Sequence, residues 1–144
     1  RKTTNQTLKE NHNSDGTLAD LPEKIDKENF RISYQGKIHG YYATSFEEAF
    51  ILTNFDNIIL NKTIEKLKSN IYKKITGTPK DLEKIKGNSY KLQRKLASSK
   101  SEFANKLLYE FIINEDSIEL PFLPKYMQEG LEWLSEKLNG GDKK

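Results

Sequence analysis

The chain contains no cysteine, which excludes disulfides and thiolate metal sites. Its two histidines, His12 and His39, lie far apart, and neither has a partner at metal or triad spacing. No apolar run approaches the roughly 20 residues of a transmembrane helix, and no signal-peptide pattern is present. The expected compartment is therefore the cytoplasm, with no membrane partner. Also missing are a glycine-rich phosphate loop, an Asp-x-Asp pair and a Ser/His/Asp set. By itself the chain does not carry a complete active site.

At 144 residues it is long enough for one compact core, or for one part of a larger domain. It opens on Arg1 rather than Met, and its first thirty residues are polar; it reads as a piece of a longer protein. Apolar residues make up only 35%, yet several segments keep helical periodicity, which argues against wholesale disorder. The net charge of +3 is unevenly spread: residues 61–106 hold thirteen Lys/Arg against four Asp/Glu. Such a block favours polyanions. The plainer explanation, at even odds on charge alone, is a solvated lysine-rich helix face.

Residues 1–29 read as a loop-rich opening. Residues 30–34 alternate apolar and polar as a half-buried strand does, Gln35-Gly36-Lys37 turns the chain, and residues 38–43 return as a second strand. Ser45, with Glu48 three residues on, forms a capping box ahead of Phe46, Ala49, Phe50 and Leu52. Ile64, Leu67, Ile71 and Ile75 define the inner stripe of the next helix, with Lys62, Lys66, Lys68, Lys73 and Lys74 on its remaining surface. Gly77-Thr78-Pro79 predicts a stop and a new start with Thr78 as N-cap, and Gly87-Asn88 predicts a break before a basic segment with Lys91, Arg94 and Lys95. Ser99 is the expected cap of a helix with the face Phe103/Ala104, Leu107/Leu108 and Phe111/Ile112. The last helix carries Met127, Leu131, Leu134 and Leu138, flanked by Tyr126 and Trp133 as core anchors.

Two residues stand out chemically. Glu47 falls in a helix first turn, where the dipole and free N–H groups favour an ionised carboxylate suited to Mg²⁺ or Mn²⁺. The commoner reason for a glutamate there is the dipole alone. Lys100 is expected at a helix's first position, where its charge opposes the macrodipole unless an anion binds beside the free N–H groups. The alternative is a lysine that swings into solvent.

Four segments in order carry a resemblance: Ser33-Tyr34-Gln35; Ser45-Phe46-Glu47-Glu48-Ala49-Phe50-Ile51-Leu52; Ser99-Lys100-Ser101-Glu102-Phe103-Ala104; and Pro124-Lys125-Tyr126-Met127-Gln128-Glu129-Gly130-Leu131-Glu132-Trp133-Leu134. Together they resemble the C-terminal part of the Toprim nuclease region of OLD-family (overcoming lysogenization defect) ATP-dependent endonucleases. The opening nine residues are similar to the stretch just after that family's Asp-x-Asp motif. The resemblance implies phosphodiester hydrolysis with two divalent metal ions (Mg or Mn) and fusion to an ABC-type ATPase that binds ATP and can form a homodimer. It places Glu47 on the late acidic metal ligand and Lys100 on the catalytic lysine. The family's early glutamates and its Asp-x-Asp are not in this chain, so the isolated chain is expected to be inactive.

The expected fold is α+β with helix predominating: a small strand pair packed with several helices, part of a larger Toprim α/β domain. Residues 1–60 are assigned to late Toprim elements, 61–97 to a basic helical insertion, 98–139 to closing Toprim helices and 140–144 to a flexible tail. DNA is the expected partner, through Lys62, Lys66, Lys73, Lys74, Lys91, Arg94 and Lys95. The alternatives are a non-catalytic nucleic-acid-binding helical module and an interaction or dimerisation domain built on the last helix.

Overall fold

The computed structural model describes residues 24–27, 30–114 and 119–140. The loop-rich opening before residue 24, His12 and the tail beyond Gly140 lie outside the described residues. The elements run β1 Lys24–Lys27, β2 Phe30–Ser33, β3 Lys37–Ile38 and β4 Tyr41–Tyr42. Then come α1 Phe46–Thr53, α2 Ile58–Thr76, α3 Glu83–Leu96, α4 Lys100–Asn114 and α5 Lys125–Gly140. The architecture is α+β with helix predominating, as expected. Two compact units divide the chain: β1, β2 and α5 belong to one, and residues 37–124 to the other.

In the first unit β1 pairs antiparallel with β2, Ile25 opposite Ile32. The helix α5 packs on β2, where the Arg31 guanidinium lies 3.7 Å from Glu129. The Met127, Leu131, Leu134 and Leu138 stripe stays exposed, up to 70% at Leu138. It is not the core face suggested by its spacing, since α5 turns another side toward the two-stranded sheet.

The expected pairing of residues 30–34 with 38–43 does not form. Residues 37–42 instead make their own hairpin, Lys37 opposite Tyr42 and Ile38 opposite Tyr41. The cause is His39-Gly40, whose φ angles of 49° and 86° are both positive. A two-residue mirror-image turn requires that backbone, and glycine supplies it without steric cost. The His39 ring meets Phe55 edge-on, with centroids 5.2 Å apart.

The larger unit packs α1 to α4 around Ile51, Ile59, Leu60, Ile64, Ile85 and Leu92, each 1% exposed or less. Each such side chain stabilises the fold by about 1.5–3 kcal/mol. Two helices break differently from the sequence pattern. The helix α2 changes direction at Lys68 (φ −136°, ψ 46°), which rotates its second half and turns Tyr72 fully inward. The Tyr72 hydroxyl donates to Asn61 Oδ1 at 2.8 Å across that kink, which satisfies a polar group that burial would otherwise penalise. By contrast, α3 runs unbroken through Gly87-Asn88. Its start is at Glu83 rather than Thr78, with Leu82 at the N-cap position and no side-chain cap; Asp81 Oδ1 accepts the Glu83 N–H at 3.0 Å in the turn just before it. On α4 Phe103, Leu107 and Glu110 are buried, with Phe111 partly so; Leu108 and Ile112 remain exposed.

The extended segment before Pro124 is held by two asparagines. The Asn54 amide donates to the Phe122 carbonyl at 2.9 Å and its Oδ1 accepts the Phe122 N–H at 2.7 Å, imitating a strand partner. Asn57 Nδ2 donates to the Glu119 carbonyl at 2.9 Å. We predict that Asn54→Ala lowers unfolding free energy by about 1–2 kcal/mol, since both Phe122 backbone groups lose their partner. Denaturant unfolding checks this through a shifted midpoint at constant m-value; an unmoved midpoint would count against it.

Candidate functional site

The first turn of α1 is built on Ser45, whose extended backbone (φ −151°, ψ 166°) is that of an N-cap and whose hydroxyl accepts the Glu48 N–H at 3.2 Å. The capping box is only half the expected one. The Glu48 carboxyl reaches past Ser45 to the Thr44 N–H and the Thr44 hydroxyl, both at 2.7 Å. Its other oxygen accepts from the Ser89 hydroxyl on α3 at 3.1 Å. Glu48 is buried, so these donors replace water around it.

With Glu48 turned inward, its neighbour Glu47 faces the first turn of α4. Lys100 Nζ lies 2.6 Å from Glu47 Oε1, so the structure joins two residues that the sequence presents separately. Burial pushes the Glu47 carboxyl up, but hydrogen bonds from Lys100, its own backbone N–H and Ser45, with the Lys100 charge, outweigh it and hold the pKa below the usual glutamate value.

Lys100 itself is not at an open helix start. The chain passes from α3 through the 3-10 turn Ala97–Ser99 straight into α4, with helical dihedrals at Leu96, Ala97 and Lys100. Ser99 therefore does not cap, and the free N–H groups expected to cradle an anion are not presented. The lysine charge is balanced by a carboxylate instead.

Beside this pair lies a groove of about 380 Å³ with aromatic walls from Phe46, Phe50, Phe103 and Phe111. Gln93 of α3 also lines it. Gln93 is largely buried, but among the described residues the buried side-chain polar atom without a partner is Thr63 Oγ1, not the Gln93 amide.

The basic residues divide into two sets. Lys62, at 3.2 Å, and Lys66 both pair with Glu110 of α4, a solvent-shielded carboxylate. Hydrogen bonding from Lys66 is the main reason the Glu110 pKa falls; burial opposes it, and Lys62 adds to the lowering. Lys73, Lys74, Lys91, Arg94 and Lys95 are exposed and have no carboxylate partner among the described residues. Glu110 and Gln93 were not singled out in sequence, and Glu48 only as half of a capping box. For Glu110 a signal existed: it follows Phe103 and Leu107 at heptad-like spacing, a carboxylate on the buried face of α4.

Among the described residues no group of three His, Asp or Glu side chains is placed to hold a metal ion. Glu47 offers one carboxylate, one of whose oxygens Lys100 occupies. Hard divalent cations take six or more oxygen ligands, so these residues do not make a cation site on their own.

No helix among the described residues is long and apolar enough to cross a membrane. No protein-family profile matches the chain, and no solved structure matches it. The chain is similar to a protein named Endonuclease GajA from Bacillus cereus (strain HuB5-5), 52% identical over 139 residues, which cover 96% of this chain and 20% of that relative. The chain thus spans about a fifth of the length of the curated relative it matches.

The Glu47–Lys100 pair has a pH signature. Because the folded-state pKa of Glu47 is depressed, its contribution to stability is present above the unfolded value, about 4.3, and is lost as pH falls through the folded value. In Lys100→Met the burial effect stays while the lysine's is gone, so the Glu47 pKa rises. Carboxyl-carbon NMR titration measures this directly; an unchanged Glu47 titration would show that the pair is not formed.

Proposed function

We propose that this chain is part of a metal-dependent DNA endonuclease, contributing Glu47 and Lys100 to one edge of its active centre. The observation that carries the reading is the 2.6 Å approach of these two residues from separate helices. They are the two positions where the sequence resembles a metal-ligating carboxylate and a catalytic lysine. The 52% identity to a protein named as an endonuclease supports it.

In phosphodiester hydrolysis, negative charge builds on the phosphoryl oxygens as the attacking oxygen adds and the leaving oxygen departs. Lys100, 55% exposed at its side chain even while paired, is placed to add fixed positive charge to that state. Bound divalent cations would supply charge neutralisation and an activated water. Glu47 is the oxygen donor this chain would offer them, and the other donors must come from outside the described residues. ATP, in this reading, is bound by a separate part of the intact protein.

Lys73, Lys74, Lys91, Arg94 and Lys95, exposed on α2 and α3 and without a carboxylate partner among the described residues, supply a surface for the nucleic acid backbone. Each phosphate contact releases counterions, so affinity falls as salt rises. The pairing of Lys62 and Lys66 with Glu110 makes them weaker candidates for this role than Lys73, Lys74, Lys91, Arg94 and Lys95.

Two experiments test the reading. In the intact protein with Mg²⁺ or Mn²⁺ and plasmid DNA, Glu47→Ala and Lys100→Ala should each cut nicking by about 100-fold or more, the scale of losing a key transition-state interaction. Nicking at the wild-type rate by either variant refutes its role. Separately, Lys91→Ala/Arg94→Ala/Lys95→Ala should weaken DNA binding and reduce the slope of log affinity against log salt by about two to three. A slope identical to wild type removes this face from the interface.

A further inference from the structure

Gly87 lies inside α3, where glycine is a poorer helix former than alanine. Packing does not require it: a Cβ there would meet only the Tyr41 hydroxyl, at an ordinary contact distance of 3.5 Å. What the glycine leaves is a bare, exposed floor on α3 beside that hydroxyl. Tyr41, on the β3–β4 hairpin, is 45% exposed, and no other described residue engages its hydroxyl. Helical side chains lean toward the helix N-terminus, so Lys91, one turn on from Gly87, borders the same spot, and Arg94 follows about one turn later. Both are exposed and without a carboxylate partner among the described residues. Glu83, the carboxylate one turn before Gly87, is itself held by Lys86 at 2.8 Å.

We infer that this spot seats one backbone phosphate of a DNA strand, the Tyr41 hydroxyl donating to a phosphate oxygen and Lys91 supplying charge. Phosphate oxygens take hydrogen bonds from tyrosine hydroxyls as well as from lysine and arginine, and such contacts fix register without reading sequence. A phosphate group needs room close to the helix surface, and Gly87 is the one position of α3 without a side chain. Lys91, Arg94 and Lys95 continue the positive surface along α3 from the seat. A run of cations suits a polyanion of repeated charge better than a single carboxylate. The hairpin adds what the helix lacks. Its phenol is a neutral donor at a fixed place, so the cations attract the strand and Tyr41 sets where along it a phosphate rests. The inference rests on the proposed function only in taking this face of α3 as the one that meets DNA.

The test uses the intact protein in EDTA, so that cleavage does not intrude, with a fluorescently labelled DNA duplex. Tyr41→Phe keeps the ring and removes only the hydroxyl. It should weaken binding about tenfold, the low end for a hydrogen bond to a charged group. The slope of log affinity against log salt should stay as in wild type, because a neutral donor releases no counterion. Lys91→Ala should weaken binding and also lower that slope by about one. Gly87→Ala should raise the denaturant midpoint, since alanine is the better helix former, and yet weaken DNA binding severalfold. Damage to the fold cannot produce that combination. Wild-type affinity in Tyr41→Phe or in Gly87→Ala would overturn the inference. Orthophosphate separates the two sources of this chemistry. If it raises the midpoint of wild type but not of Tyr41→Phe, while the two bind DNA equally, the seat takes free phosphate and the strand contact is overturned. The nicking results for Glu47→Ala and Lys100→Ala stand apart from these measurements. Weakened binding in the Lys91/Arg94/Lys95 triple variant with an unchanged Tyr41→Phe removes the seat alone; an unchanged triple variant removes the DNA face itself.

Discussion

A buried carboxyl, Glu48, is the constraint on which the geometry of the larger unit rests. It takes its hydrogen bonds from Thr44, at the exit of the short hairpin, and from Ser89, on the facing helix. One side chain thereby fixes where α1 begins and how that first turn faces α3. Helical geometry then turns Glu47 roughly 100° away from Glu48. The outward carboxylate is consequently held by the inward one, and Lys100 finds it at a defined place.

The positive charge of residues 61–106 is apportioned by the tertiary fold. Glu110 holds Lys62 and Lys66 between α2 and α4, Glu65 holds Lys80 at 3.1 Å, and Glu47 holds Lys100. The cations left over lie on α2 and α3. Exposed ion pairs contribute little to stability, about 0–1 kcal/mol each, but they decide which cations remain to attract a polyanion. The difference between a solvated lysine-rich face and a binding surface therefore lies in where the carboxylates sit, not in the number of lysines.

Much of the local structure was legible in the residues. The Ser45 cap, the stop at Gly77 and the helical segments followed from short-range chemistry: a hydroxyl that accepts a free N–H, a glycine at positive φ, apolar side chains at helical spacing. Where those local signals competed, they misled. His39-Gly40 won the turn over Gln35-Gly36-Lys37, α3 began at Glu83 without the Thr78 cap, and Gly87 was absorbed into α3. The kink at Lys68 has no glycine or proline to announce it, and the core position of Tyr72 four residues on lay off the stripe read from the sequence. Ser99 reads as a cap only if the helix starts afresh there, whereas the 3-10 turn carries helical backbone through the junction.

Sequence by itself determined that the chain is rich in helix, free of cysteine chemistry and positively charged in its middle third, because composition and periodicity act within a few residues. It also singled out Glu47, which its helix dipole favours, and Lys100, whose charge was expected to oppose its own. That they meet, and that an aromatic groove opens beside them, was decided only by the packing of α1, α3 and α4. The contacts that build the site join residues far apart in the chain, and no local propensity encodes a distance between two helices.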